Sequence, residues 1–248
     1  MSTKTIIKDQ RPANIPHECI IAGTPYWIST DEYPRMPPPT RDEENCITFS
    51  DYPSFRPNLT PQQVFQAGSF GGTYFRSIAS KTTHCNYPVG VHLEFPTQWF
   101  EDVSTVTSQV YRKELNKYGV KSGNDLDFWE RKGWMRPQDP YGWFQWYCRF
   151  YMGRRSEDDT RQVSRWSNAI GPKGRWRTFL VGQCVKQGTS FDDDTASPVT
   201  RQTLLQWAFE LTEEEFERLA EPIRKGKSVI YMGKVSQTGT RKNKRQKT

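Results

Sequence analysis

Apolar positions recur at helical spacing through the second half of the chain and fall into short or irregular runs through the first. From Tyr141 to Met152 the polar side almost vanishes: Gln145 and Arg149, one helical turn apart, are its main interruptions. A helix with so little polar surface is surrounded on most sides, so this stretch predicts a central aromatic helix. Gly153 ends it, and Asp139 followed by Pro140 offers an N-cap and a first helical residue. Four more helices follow. One begins at Ser156 with Glu157, Asp158 and Asp159 against the positive end of its dipole and buries Val163, Trp166 and Ile170. Another spans Lys173 to Lys186 with Trp176, Leu180 and Cys184 on one face. Ser197 and Pro198 open the next, which buries Leu204, Leu205 and Ala208. Thr212 and Glu215 form a capping box for the last, carrying Phe216, Leu219 and Ile223.

Upstream, Thr60, Pro61 and Gln63 spell a capping box for a short helix through Ala67, stopped by Gly68, Gly71 and Gly72. Alternation over Thr73–Ile78 and Val89–Phe95 predicts a small β hairpin, closed by Pro96. Thr97–Phe100 reads as a turn, Val106–Tyr118 as an interrupted helix, and Asp125–Lys132 as a short helix ended by Gly133. Ten of the seventeen prolines lie between Pro12 and Pro61, which leaves little room for regular helix. Rings such as Tyr26, Trp27, Tyr52 and Phe55 favour laying part of that arm on the body. The expected architecture is mainly α with a minor β part: an irregular N-terminal arm over 1–57, one helical domain over 58–233, and a disordered basic tail over 234–248.

Composition adds the character of the core. Only 34% of residues are apolar but 14% are aromatic, so rings supply burial that aliphatic side chains do not. No run approaches the roughly 18 apolar residues that span a bilayer, and residues 1–16 lack the core of a secretory signal. Five cysteines at wide spacing, with no CxxC, read as reduced thiols. The expectation is a soluble intracellular protein, nuclear or cytoplasmic, with no membrane partner.

The net charge of +7 is concentrated at one end, because Lys234, Arg241, Lys242, Lys244, Arg245 and Lys247 lie in the last fifteen residues without an acid. That tail resembles a nuclear import signal or a phosphate-binding arm. Within the body, Arg149 to Arg177 holds seven arginines and Lys173 against Glu157, Asp158 and Asp159. Guanidinium forks beside tryptophans suit either internal glue or contact with a polyanion. The leading functional expectation is a nucleic-acid-binding, and in particular DNA-binding, protein using Arg154, Arg155, Arg161, Arg165, Lys173, Arg175 and Arg177, with exposed tryptophan stacking on unpaired bases.

Other chemistries are less well assembled. His84, Cys85 and His92, even with His17 and Cys19, lack the paired spacing of a zinc site, so no metal or cofactor is expected. Ser69 follows Gly68 directly, so GxSxG is not met, and no GK[ST] follows the glycines. Cys148 sits in the aromatic helix as a small apolar group. Asp192, Asp193 and Asp194 read as a solvated loop. The alternative function is an enzyme acting on a small anionic substrate between the Gly68–Arg76 turn and the aromatic helix. Arg76 or Arg149 would hold the anion, and Glu94 or Asp139 would serve as base. A protein-interaction module with an aromatic docking surface is the third reading.

Gly71–Arg76 (GGTYFR), Leu93–Pro96 (LEFP), Trp99-Phe100, Asp139–Arg155 (DPYGWFQWYCRFYMGRR), Arg161-Gln162, Arg165-Trp166 and Lys173–Trp176 (KGRW) form a specific string. By it, the chain resembles an uncharacterised family of intracellular proteins from eukaryotic microbes. The resemblance covers about residues 58–225; it implies that this stretch is one unit and implies no activity.

Overall fold

The computed structural model describes residues 35–226 and a short antiparallel pairing of β1 (Ile20–Ile21) with β2 (Thr24–Pro25). The expected tail over 234–248 and most of the expected arm lie outside the described residues. The protein is mainly α-helical with small β elements. Two-residue strands β3 (Thr40–Arg41) and β4 (Ile47–Thr48) pair antiparallel, followed by helix α1 (Pro61–Gln66). The hairpin of β5 (Ile78–Ser80) and β6 (Cys85–Tyr87) follows. After it come 3-10 turns at Val91–Glu94, Thr97–Phe100 and Lys113–Leu115. Six helices complete the described residues: α2 (Leu126–Arg131), α3 (Trp143–Tyr151), α4 (Asp159–Ala169), α5 (Arg175–Gln187), α6 (Pro198–Gln206) and α7 (Glu213–Arg224).

Helix α1 begins where its capping chemistry dictates. The Thr60 hydroxyl accepts from the Gln63 amide, and the Gln63 side chain accepts from the Thr60 amide. Asp125 likewise caps α2 through the Phe128 amide at 2.8 Å. Asp139 is a correction: α3 starts at Trp143 behind Gly142, and Asp139 has another use described below. The hairpin is displaced from its expected strands, since Val91–Glu94 coils into a 3-10 turn and the second strand is Cys85–Tyr87. The Val106–Tyr118 segment is irregular apart from the 3-10 turn at Lys113–Leu115, not the expected interrupted helix. It is tied to the glycine turn by Ser108, Arg112 and Lys117 amides donating to the carbonyls of Gly72, Gly71 and Gly68. Gly71 (φ 56°) permits that approach, because a Cβ there would sit 2.8 Å from the Tyr111 ring.

Helix α3 is the centre, with every residue from Trp143 to Phe150 buried. Its partners come from both ends of the described chain. Phe55, fully buried, meets the rings of Phe49, Trp143, Trp146, Tyr147, Phe150 and Trp166 at centroid distances of 5.1 to 6.5 Å. A boundary at residue 57 therefore falls inside the core. Helix α5 packs against α4, α6 and α7. Asn58 closes the fold: its side chain donates to the Glu210 carbonyl at 2.7 Å and accepts from the Glu210 amide at 2.9 Å. Of the five cysteines, Cys46, Cys85, Cys148 and Cys184 are free thiols.

His92 packs between the rings of Phe75 and Phe100, with Nδ1 buried and unbonded among the described residues. Burial holds its pKa below the ordinary 6.5. The unfolded chain then takes up this proton more readily, so stability falls as pH drops below about 6.5. His92→Phe is expected to flatten that acid-side slope. Urea unfolding midpoints at a series of pH values between neutral and mildly acidic would test it, and an unchanged slope would refute it.

Candidate ligand cleft and the fate of the arginines

Most of the expected polyanion-binding arginines are engaged within the protein. Arg154, 1% exposed, forms a fork with Asp139 through bonds of 2.8 and 2.6 Å. Arg155 forks onto Asp51 at 2.6 and 3.0 Å and lies over the Phe150 ring. Arg177 is buried against Glu215 and the Ile170 carbonyl and stacks on Phe209. Arg161 grips Asp158 with Nε and Nη2. Lys173 and Arg175 are exposed, and half-buried Arg165 bonds the Gln162 side-chain oxygen at 2.7 Å. The seven expected residues thus do not form one outward face. Those still facing solvent gather around α4 and the start of α5.

The expected substrate pocket is also divided. Glu94, Asp139 and Arg149 converge, but as a buried ion array. Arg149 Nη2 donates to both Glu94 oxygens at 3.0 and 2.7 Å and Nη1 to Asp139 at 3.0 Å, while Asp139 also receives Arg154. Burial raises Glu94 above the ordinary carboxylate range against the pull of Arg149. Both of its oxygens already accept hydrogen bonds, and Asp139 is 1% exposed. Neither carboxylate is placed to act as a base toward a ligand, and Arg149 is not placed to hold one.

Arg76 stands apart from this array, on a cleft of about 250 Å³ between the glycine turn, the 109–126 segment, α2 and the residue that leads into α3. Phe70, Tyr74, Tyr111, Trp129 and Tyr141 give it aromatic walls. Two cations reach it. The Arg76 side chain makes a long 3.3 Å bond to the Thr73 carbonyl, and Lys121 lies 5.4 Å over the Tyr111 ring. Neither makes an ion pair among the described residues. The phenols are committed to the frame: Tyr74 donates to the Tyr141 carbonyl at 2.9 Å, and Tyr141 donates to the Arg76 carbonyl at 2.8 Å. Burial lifts Tyr74 well above the ordinary phenol range, so it keeps its proton. Asp125 is occupied as the α2 cap.

The chain matches no family model, no curated protein and no solved structure.

Function therefore rests on geometry. Among the described residues no three His, Cys, Asp or Glu side chains form a metal-holding group, and no helix is long and apolar enough to cross a membrane. Arg76 and the Gly68–Arg76 turn were visible in the sequence. Lys121, Tyr111 and Trp129 were not, because they reach the cleft from two later segments whose spacing carries no motif. The available signal was compositional: an aromatic and basic run, Tyr111 to Lys121, tethered behind a glycine-rich turn.

Proposed function

We propose that this protein binds a small anionic molecule with a planar, unsaturated body in the Arg76–Lys121 cleft. The carrying observation is the pairing of two cations that lack carboxylate partners among the described residues with walls made of Phe70, Tyr111, Trp129 and Tyr141. Two cations at a ring-lined site favour an anion by charge attraction, the more so at Arg76, which is half-buried, whereas Lys121 is exposed. Flat aromatic walls favour a flat ligand. The volume suits a nucleotide monophosphate or an aromatic acid, slightly below the usual range for drug-sized sites. The reading is one of binding rather than catalysis, since the phenols and the Asp125 carboxylate at the cleft are held in structural bonds.

Calorimetric titration with adenosine 5′-monophosphate, salicylate and inorganic phosphate tests this. Binding of at least one of the two planar anions is expected, with phosphate alone weaker. Arg76→Gln and Lys121→Gln should each weaken it about tenfold or more, the size of a charge-assisted hydrogen bond. No heat with either planar anion at about 1 mM, a concentration matching weak binding, would remove the reading.

A further inference from the structure

Helix α4, the loop that follows α2 and the first residue of α5 bring together the guanidinium groups of Arg161, Arg165, Arg136 and Arg175, with Asp158 the carboxylate among the first three. Asp158, 5% exposed, receives the fork of Arg161 and the Gln162 amide, and lies 4.0 Å from Arg136. Its acidic neighbours face elsewhere: Asp159 accepts from the Trp146 indole and Ser156, and Glu157 accepts from Gln138. Arg165 is left with a neutral amide oxygen as its hydrogen-bond partner among the described residues. It is set between two indoles, 5.8 Å from the Trp134 centroid and 5.6 Å from that of Trp207. Burial, together with Arg161, Arg136 and Arg175 nearby and against the pull of Asp158, lowers its pKa to about 10. It remains a cation at neutral pH, with three like charges around it.

A half-buried guanidinium with no carboxylate hydrogen-bonded to it among the described residues, and with others of its kind nearby, is stabilised by an added anion. Trp134 adds a second recognition element. Its ring is 41% exposed, with Phe128 edge-on at 5.8 Å holding its orientation. The Trp134 backbone carbonyl accepts a long bond from Arg161, which ties this stretch of backbone to the cationic cluster. Phosphate gripped by clustered arginines beside an exposed indole is the arrangement that holds an unpaired strand: the backbone sits on the cations and a base stacks on the ring. We infer that the Arg136–Arg161–Arg165–Arg175 cluster, with Trp134, is a site for single-stranded nucleic acid, separate from the Arg76–Lys121 cleft.

Fluorescence anisotropy with a labelled single-stranded oligonucleotide tests it on the full-length chain, with the six basic residues between Lys234 and Lys247 changed to Gln so that the tail cannot supply the binding. Retained, salt-dependent binding is expected. Arg165→Gln and Arg136→Gln, the latter at an exposed position, should each weaken it about tenfold and reduce the salt slope by about one unit. Trp134→Leu should weaken it by roughly tenfold without changing that slope, as loss of one stacked base predicts. Circular dichroism checks the fold of Arg165→Gln, and Arg136→Gln keeps the test decisive if that variant is unstable. Loss of all binding on neutralising the tail, affinity unchanged in Arg136→Gln and Trp134→Leu, or preference for a phosphopeptide over the strand would each overturn the inference. Arg76→Gln should leave strand binding intact, so the two sites fail or stand independently.

Discussion

Asp139→Asn is expected to cost about 3–5 kcal/mol of stability, the size found when one partner of a buried ion pair is removed. The change keeps the shape of the side chain and removes its charge. Asp139 bonds Arg149 through Oδ1 and Arg154 through both oxygens, at 3.0, 2.8 and 2.6 Å, in a site where all three residues are at most 2% exposed. Without the carboxylate, two buried guanidinium groups lose the charged acceptor they share. The amide nitrogen that replaces one oxygen points a donor at donors. The attraction between oppositely charged groups is strongest in such a low-dielectric site, and so is the penalty for leaving one partner behind. Arg154→Met added to Asp139→Asn should recover part of the loss, because an apolar side chain removes the surplus charge. Urea unfolding of both variants measures this. A loss below about 1 kcal/mol for Asp139→Asn, the size of an ordinary hydrogen bond, would show that the array is not what holds this region.

Phe55→Ala should be nearly as damaging, at about 3–5 kcal/mol, although Phe55 lies in a proline-rich segment with no regular secondary structure around it. The ring has no exposed surface and touches six other rings, four of them on α3. Removing it leaves a cavity walled by Trp146 and Trp166, both themselves almost wholly buried and each anchored by an indole hydrogen bond, to Asp159 and to the Trp207 carbonyl. Side chains fixed by hydrogen bonds cannot move in to fill the space, so the collapse that would soften the cost is blocked. Phe55→Leu should cost markedly less. If thermal unfolding shows Phe55→Ala within about 1 kcal/mol of the parent, residues 47–59 are dispensable to the core and the packing described here is wrong.

Features written in neighbouring residues were legible in the sequence, and features that join distant residues were not. The Thr60–Gln63 box, the Thr212 cap on the Glu215 amide and the glycine stop after α3 each depend on residues within four positions, and all three are present. The Asp139–Pro140 pair satisfies the same local rule for a helix start, yet its carboxylate is taken by arginines 10 and 15 residues later. Counting charge between Arg149 and Arg177 gave an apparent surplus because three of the compensating acids, Asp51, Asp139 and Glu215, lie outside that window. Val91–Glu94 alternates like a strand over four residues, too few to tell a strand from a turn. At the cleft, Arg76 could be singled out by type and by its glycine turn, whereas its counterpart Lys121 is brought there by the Gly71–Tyr111 approach, which depends on a packing distance rather than on any spacing.

The Asn58–Glu210 clasp sets a schedule for synthesis. Its two halves are separated by 152 positions, and elongation proceeds at about 5–20 residues per second. On the ribosome, Asn58 therefore waits roughly 8 to 30 seconds for Glu210. Through that interval the clasp stays open, a period in which chaperone capture competes with completion of the fold.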